Sequence, residues 1–227
     1  MIRALIFDFD GLVLDTETPI YLSYQEIYRS LGVELSFERW AQGVGTTDAI
    51  YDPLDDLEAQ LGYEVDRSSL HALQRQREAE LIAAQPVLPG VVDYLQDARR
   101  LGLKIGMASS SSCAWITGHL SRLGLLEYFD CVQGRDDVQC SKPDPELYLS
   151  ALEKLGVSNI QAIVFEDSPN GILAARRAGI ACVVVPNPVT RRLPLDSADL
   201  RLESLADLPL EQLLKMHDKI APTREQL

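Results

Sequence analysis

Short unbroken apolar runs alternate along this chain with longer stretches in which apolar residues return every three or four positions. Ala4-Leu5-Ile6-Phe7, Leu103 to Ala108, Ala162-Ile163-Val164-Phe165 and Ala181 to Val185 are the short runs. An unbroken run, unlike an alternating one, predicts a strand buried on both faces, as in a parallel sheet covered by helices. The helical stretches Val91 to Leu101, Cys113 to Leu123, Glu146 to Leu155 and Ile172 to Ala178 lie between them, each followed by a glycine suited to a helix end.

That rhythm predicts an α/β fold with a doubly wound (Rossmann-like) parallel sheet core. One block breaks it. From Glu17 to Ala84 only helical patterns occur, such as Ile20 to Leu31 and Leu70 to Ile82, in a stretch too long for a simple strand-to-helix connection. It reads as an inserted α-helical cap domain over residues 17–84. Residues 1–16 and 85–220 then form the core, and 221–227 a polar tail.

In such sheets ligands bind beyond the carboxyl ends of the strands, and polar residues gather there. Asp8-Phe9-Asp10-Gly11 follows the first run. Two carboxylates at that spacing can share a hard, oxygen-preferring cation. One can attack phosphorus, and the other can protonate a leaving oxygen and then deprotonate water. Gly11 permits the sharp turn that follows. Ser109-Ser110 ends the second run, where hydroxyls and backbone N–H groups can donate to a phosphoryl oxygen. Lys142 sits in the stiff frame Ser141-Lys142-Pro143-Asp144-Pro145, and its ammonium suits both a carboxylate and a phosphoryl group. Glu166-Asp167 ends the third run. Four carboxylates at one sheet edge would repel one another strongly without a divalent cation and Lys142 to offset them.

This set of residues resembles the four signatures of the haloacid dehalogenase-like hydrolase superfamily, over about residues 1 to 210. Asp8 to Glu17 is similar to the first signature, Ser109 to the second, Lys142 to the third and Glu166-Asp167 to the fourth. The helical insertion is placed as in the beta-phosphoglucomutase-like branch. The resemblance implies Mg²⁺ held by the Asp8 carboxylate, the Asp10 backbone carbonyl and Asp167, with Glu166 as a further carboxylate near the metal. It also implies Asp8 as nucleophile, forming an aspartyl-phosphate, and Asp10 as general acid/base. The implied enzyme is a Mg²⁺-dependent phosphomonoesterase acting on a small phosphorylated metabolite such as a sugar phosphate. Ser109, Ser110 and Lys142 would bind the phosphate.

Two alternatives stand beside it. A hexose-phosphate mutase of the beta-phosphoglucomutase type carries a His shortly after the first signature and a cap-loop Arg for a second phosphate. Here those segments read Thr16-Glu17-Thr18-Pro19-Ile20-Tyr21 and Gly43-Val44-Gly45-Thr46-Thr47-Asp48, which favours hydrolysis. An aspartyl-phosphate receiver, a binding module, would have no use for Asp10 as an acid or for a helical cap.

Charge and cysteine content narrow the setting. A net charge of −13, with basic residues at most in pairs, excludes a nucleic-acid footprint or an anionic-membrane anchor. The apolar N-terminus meets Asp8 and Asp10 too soon for a signal core or a membrane span. Cys113, Cys131, Cys140 and Cys182 form no CxxC pair and read as free, mostly buried thiols of a cytoplasmic protein. No sequence feature specifies an oligomeric state. His71, His119 and His217 are scattered, Trp40 and Trp115 read as packing, and Arg75, Arg77, Asp55, Asp56 and Glu58 read as solvated.

Overall fold

Each of the four apolar runs becomes a strand of one parallel sheet. The computed structural model describes residues 1–40 and 51–216. Among them the strands are β1 (Ala4–Phe7), β2 (Lys104–Ala108), β3 (Cys131–Gln133), β4 (Ala162–Glu166), β5 (Ala181–Val184) and β6 (Leu200–Arg201). They run in the order β3-β2-β1-β4-β5-β6, all pairs parallel. From β1 the chain builds outward through β2 and β3, then crosses to β4 on the other side. The switch point therefore falls between β1 and β4, where such a sheet opens a crevice at its carboxyl edge.

The runs are unbroken because both faces are covered. Leu5, Phe7, Ile105, Met107, Ile163, Phe165 and Val183 point to one side, into a core shared with α5 (Val91–Arg100), α6 (Cys113–Arg122) and α9 (Leu210–Lys215). Ala4, Ile6, Ala108, Val164, Cys182 and Val184 point to the other, against α7 (Glu146–Leu155) and α8 (Pro169–Arg177). Phe7 stacks on Phe165 at 4.8 Å between ring centroids, tying β1 to β4 directly beneath the crevice.

The helical block forms α1 (Glu17–Ser30), α2 (Phe37–Trp40), α3 (Pro53–Leu61) and α4 (Arg67–Ala83). Ile27, Tyr28, Leu35, Trp40, Leu54 and Leu57 gather there in a hydrophobic cluster separate from the two sheet cores, joined by Val189 from the sheet side. Trp40 packs as expected. The acids of α3 are not simply solvated: Asp55 and Glu58 pair with Arg67, and Asp56 accepts from Arg39, Gln60, Tyr28 and Tyr51. Arg77 is engaged by Glu26 and Glu80.

The four cysteines are unpaired, but only Cys182 is fully buried; Cys113 and Cys131 are partly covered and Cys140 is exposed. No helix among the described residues is long and apolar enough to cross a membrane. The Gly43 to Asp48 stretch, His217 and the 221–227 tail lie outside the described residues.

Candidate active site

The site assembles where β1 and β4 end side by side. The Asp8 N–H donates to the Phe165 carbonyl at 2.9 Å, so the strand pairing carries the nucleophile candidate to the sheet edge in register with Glu166-Asp167. The chain then turns at Gly11, whose φ of 79° lies in the left-handed region. A side chain at Gly11 would collide with the Asp167 carboxylate and the Asn187 amide, so the turn needs glycine for space as well as conformation.

Lys142 is the hub. Its side chain is only 5% exposed, and its Nζ donates to Asp8 Oδ1 at 2.5 Å and to Glu166 Oε1 at 2.6 Å. The same ammonium lies 4.8 Å from the centroid of the Tyr148 ring. Burial works to lower its pKa, yet the charges of Asp8 and Glu166 and their hydrogen bonds outweigh burial and hold it above the ordinary lysine value. Asp8 goes the other way for a carboxyl. Burial pushes it well up, Lys142 opposes, and Glu166 and Asp10 push it further. Asp167 is likewise raised, by burial first and then by Glu166, Asp8 and Glu17. Asp8, Glu166 and Asp167 each offer a carboxylate oxygen within 4.8 Å of the others. Such a buried set of hard oxygens, its charge short of a counter-ion, fits a small divalent cation.

Glu166 is completely buried and anchored at both oxygens. Oε1 accepts from Lys142 and, at 2.5 Å, from Tyr148 Oη; Oε2 accepts from the Asp167 and Ser168 N–H groups and from Ser168 Oγ. Ser168 also caps α8 by accepting from the Gly171 N–H, and Pro169 opens that helix, so capping and charge placement share one residue. Asp167 is steered separately. Asn187, buried at the end of β5, donates to Asp167 Oδ2 at 2.7 Å and to the Gly11 carbonyl at 3.2 Å.

Asp10 faces the loop after β2. Ser109 Oγ and Ser111 Oγ donate to its Oδ2 at 3.1 and 2.6 Å, and Trp115 Nε1 donates to Oδ1 at 3.0 Å. Ser109 is buried, whereas Ser110 is exposed and shares the cavity wall. Ser112 is the residue that caps α6. Trp115 thus does more than pack. Its ring rests against His119, with centroids 4.4 Å apart, while its N–H addresses a site carboxylate. His119 itself is held below the usual histidine pKa, by burial and by Arg122.

Asp8, Asp10, Ser109, Ser110, Lys142 and Asp167 all line one cavity of about 430 Å³, with Glu166 immediately behind. The sequence-predicted residues therefore converge. Tyr148, Asn187, Ser111 and Trp115 are additions.

The comparisons with known proteins agree with this geometry. The family model for haloacid dehalogenase-like hydrolases matches residues 5–185. YhcW of Bacillus subtilis (strain 168) is 48% identical over 94% of this chain and 97% of its own. Hexitol phosphatase B of Escherichia coli (strain K12) is 31% identical over 94% of this chain and 97% of its own. Among solved structures, CbbY from Rhodobacter sphaeroides in complex with phosphate superposes with a TM-score of 0.69 at 28% identity, over 94% of this chain and 99% of that one. A match running from β1 through β5 takes in every candidate residue predicted from the sequence, and the chain belongs to the haloacid dehalogenase-like hydrolases, as an enzyme of their phosphatase kind.

Proposed function

We propose that the chain hydrolyses the phosphomonoester of a small metabolite through an aspartyl-phosphate on Asp8. The observation that carries this reading is that two carboxyl groups line one cavity, each held by a different set of partners. Asp8 is held by Lys142, and Asp10 is held by donors from the β2–α6 loop. Asp8 attacks phosphorus in line while the ester oxygen leaves on the Asp10 side and takes the Asp10 proton. Asp10 then removes a proton from water, which attacks the aspartyl-phosphate and releases inorganic phosphate and free Asp8. Lys142, Ser109 and the loop N–H groups face the charge that grows on the phosphoryl oxygens.

The residues that would hold Mg²⁺ are Asp8 and Asp167 through carboxylates and Asp10 through its carbonyl. Glu166, its oxygens engaged by Lys142, Tyr148 and the Asp167-Ser168 turn, sits beside them as the group that positions Lys142. When bound, the ion supplies electrostatic stabilisation of the phosphoryl oxygens.

Residues 17–84 act as the cap in this reading, supported by Glu17, Ile20 and Glu78 in the cavity wall. Hydrolysis is favoured over isomerisation because no Lys or Arg of the helical block lines the cavity among the described residues, and residues 41–50 contain none. A relative named hexitol phosphatase supports a phosphorylated polyol or sugar as substrate. Unpaired cysteines suit a reducing, cytoplasmic setting. Asp8→Asn tests the nucleophile. It is expected to retain the fold by circular dichroism and to lose phosphate release; retained Mg²⁺-dependent turnover would refute the assignment.

A further inference from the structure

The helical block meets the cavity through Glu17 and Ile20 on α1 and Glu78 on α4. Two carboxylates on one wall are unusual for a pocket that receives an anion. The cations of this helix pair lie elsewhere: Arg77 reaches Glu26 and Glu80 on the exposed side. Arg135 belongs to the opposite, sheet-side rim, with a largely exposed side chain.

The acids are also placed by structure. Gln74, 95% buried by its 5% exposure, donates to Glu78 Oε2 at 2.8 Å and to Ser23 Oγ at 3.0 Å. That bridge ties α4 to α1 and fixes the Glu78 carboxylate. Glu17 has no hydrogen bond or ion pair among the described residues, although it is partly buried in the wall. Burial first, then the negative charges of Asp10, Asp15 and Glu78, push its carboxyl up to about 7. Its carboxyl oxygens, engaged by no described residue, are open to the cavity and available to accept hydrogen bonds from a ligand there. Hydroxyl groups supply them, and the Ile20 side chain suits the carbon skeleton between them. A second phosphate would instead meet two acids on a wall to which, among the described residues, the helical block contributes no Lys or Arg.

We infer that Glu17 and Glu78 form the leaving-group subsite, accepting hydroxyls of an uncharged polyhydroxylated alcohol that carries a single phosphate and repelling bisphosphates. This rests on the phosphatase reading above and extends it from the phosphoryl group to the alcohol.

The test compares three esters with wild type, Glu17→Gln, Glu78→Gln and Glu78→Lys. They are a hexitol monophosphate, the bisphosphate of the same skeleton, and phenyl phosphate, whose leaving group has no further hydroxyl. Wild type is expected to prefer the hexitol monophosphate over the bisphosphate by about tenfold or more in kcat/KM. Glu17→Gln and Glu78→Gln should raise KM for the hexitol ester by about tenfold, with a smaller change in kcat and a clearly smaller loss on phenyl phosphate. Glu78→Lys should narrow the preference against the bisphosphate. Melting curves show which variants are folded, and the two Gln variants test the subsite independently of each other.

The inference is overturned if wild type uses both hexitol esters equally, or if the variants lower all three substrates by one common factor. If wild type releases phosphate from none of the three, the phosphatase reading itself has failed and the inference falls with it.

Discussion

Gly171→Ala tests how firmly Glu166 is seated, and two effects of opposite sign meet in it. Gly171 lies in the first turn of α8, where alanine is the better helix former by up to about 1 kcal/mol. A Cβ built there, however, falls inside the Glu166 carboxylate, in contact with its carbon and both oxygens. Restoring ordinary contact needs a retreat of roughly 1.5 Å. Glu166 has no slack to give, because Lys142, Tyr148, Ser168 Oγ and two backbone N–H groups all hold it. Overpacking of this kind costs about 1–3 kcal/mol, and a disrupted hydrogen bond from the Lys142 ammonium about 1.5–3 kcal/mol more. The steric terms win, and the net expectation is a loss of about 2–5 kcal/mol. For a chain of this size that lowers Tm by about 5–15 °C.

Gly118→Ala is the matched control. Gly118 lies inside α6 with nothing within 4 Å of the position a Cβ would take, so the same exchange should stabilise by up to about 1 kcal/mol. Urea midpoints with equal slopes compare the two. Phosphate release by Gly171→Ala, measured well below its Tm, should fall by about tenfold or more, because a displaced Glu166 draws Lys142 away from Asp8. A Gly171→Ala variant as stable and active as wild type would refute the packing argument.

Two further outcomes follow from the site. Trp115→Phe keeps the ring against His119 but removes the donor to Asp10, so kcat is expected to drop about tenfold with KM nearly unchanged; an unaltered kcat would show that the indole N–H has no part in positioning Asp10. The pH dependence of Mg²⁺ stabilisation has a definite sign: Asp8 and Asp167 are raised above their ordinary value of 3.8, so without metal the folded chain binds more protons than the unfolded one between that value and the raised ones. Metal-free stability attributable to these groups therefore falls as pH rises through that window. Mg²⁺ at about 100 times its Kd at pH 8 should raise Tm by about 5–10 °C there, and the same concentration should raise it by much less near pH 5, where protons on these carboxyls compete with the ion. Equal shifts at both pH values would contradict it.

The sheet interior was legible because β1, β2, β4 and β5 are covered on both faces and so read as unbroken apolar runs. The missed strands, β3 and β6, are the two edges. Cys131-Val132-Gln133 is covered mainly at Gln133, and Leu200-Arg201 pairs over only two residues. Neither leaves an apolar run to detect. Helix starts slipped for a related reason. α1 opens at Glu17 and α8 at Pro169, earlier than their first periodic apolar residues, because polar and proline residues are favoured in a first turn. The acids and Lys142 were legible because each ends a buried strand or occupies a stiff loop. Asn187 obeys the same rule at the end of β5 and could have been found by it. Ser111, as far past β2 as Asn187 is past β5, falls under the same rule; Trp115 and Tyr148 do not, since their roles depend on how α6 and α7 face strands distant in sequence.

The distribution of charge limits how this site can hold its substrate. The Lys142 ammonium already lies between Asp8 and Glu166, so it is not a free counter-charge waiting for phosphate. Asp10, Glu17, Glu78 and Asp167 add carboxyl groups to the same cavity, and Arg135 stands only at its rim. An incoming phosphomonoester thus meets more negative than positive groups, on a chain whose net charge is −13. Under the proposed function, its binding must come from short-range donors, Ser109, Ser110 and loop N–H groups, and from a divalent cation held by Asp8 and Asp167. Removing the cation leaves the raised carboxyls of Asp8 and Asp167 neutralised only by protons. The metal-free protein is therefore expected to bind inorganic phosphate weakly at neutral pH, even with every protein ligand in place.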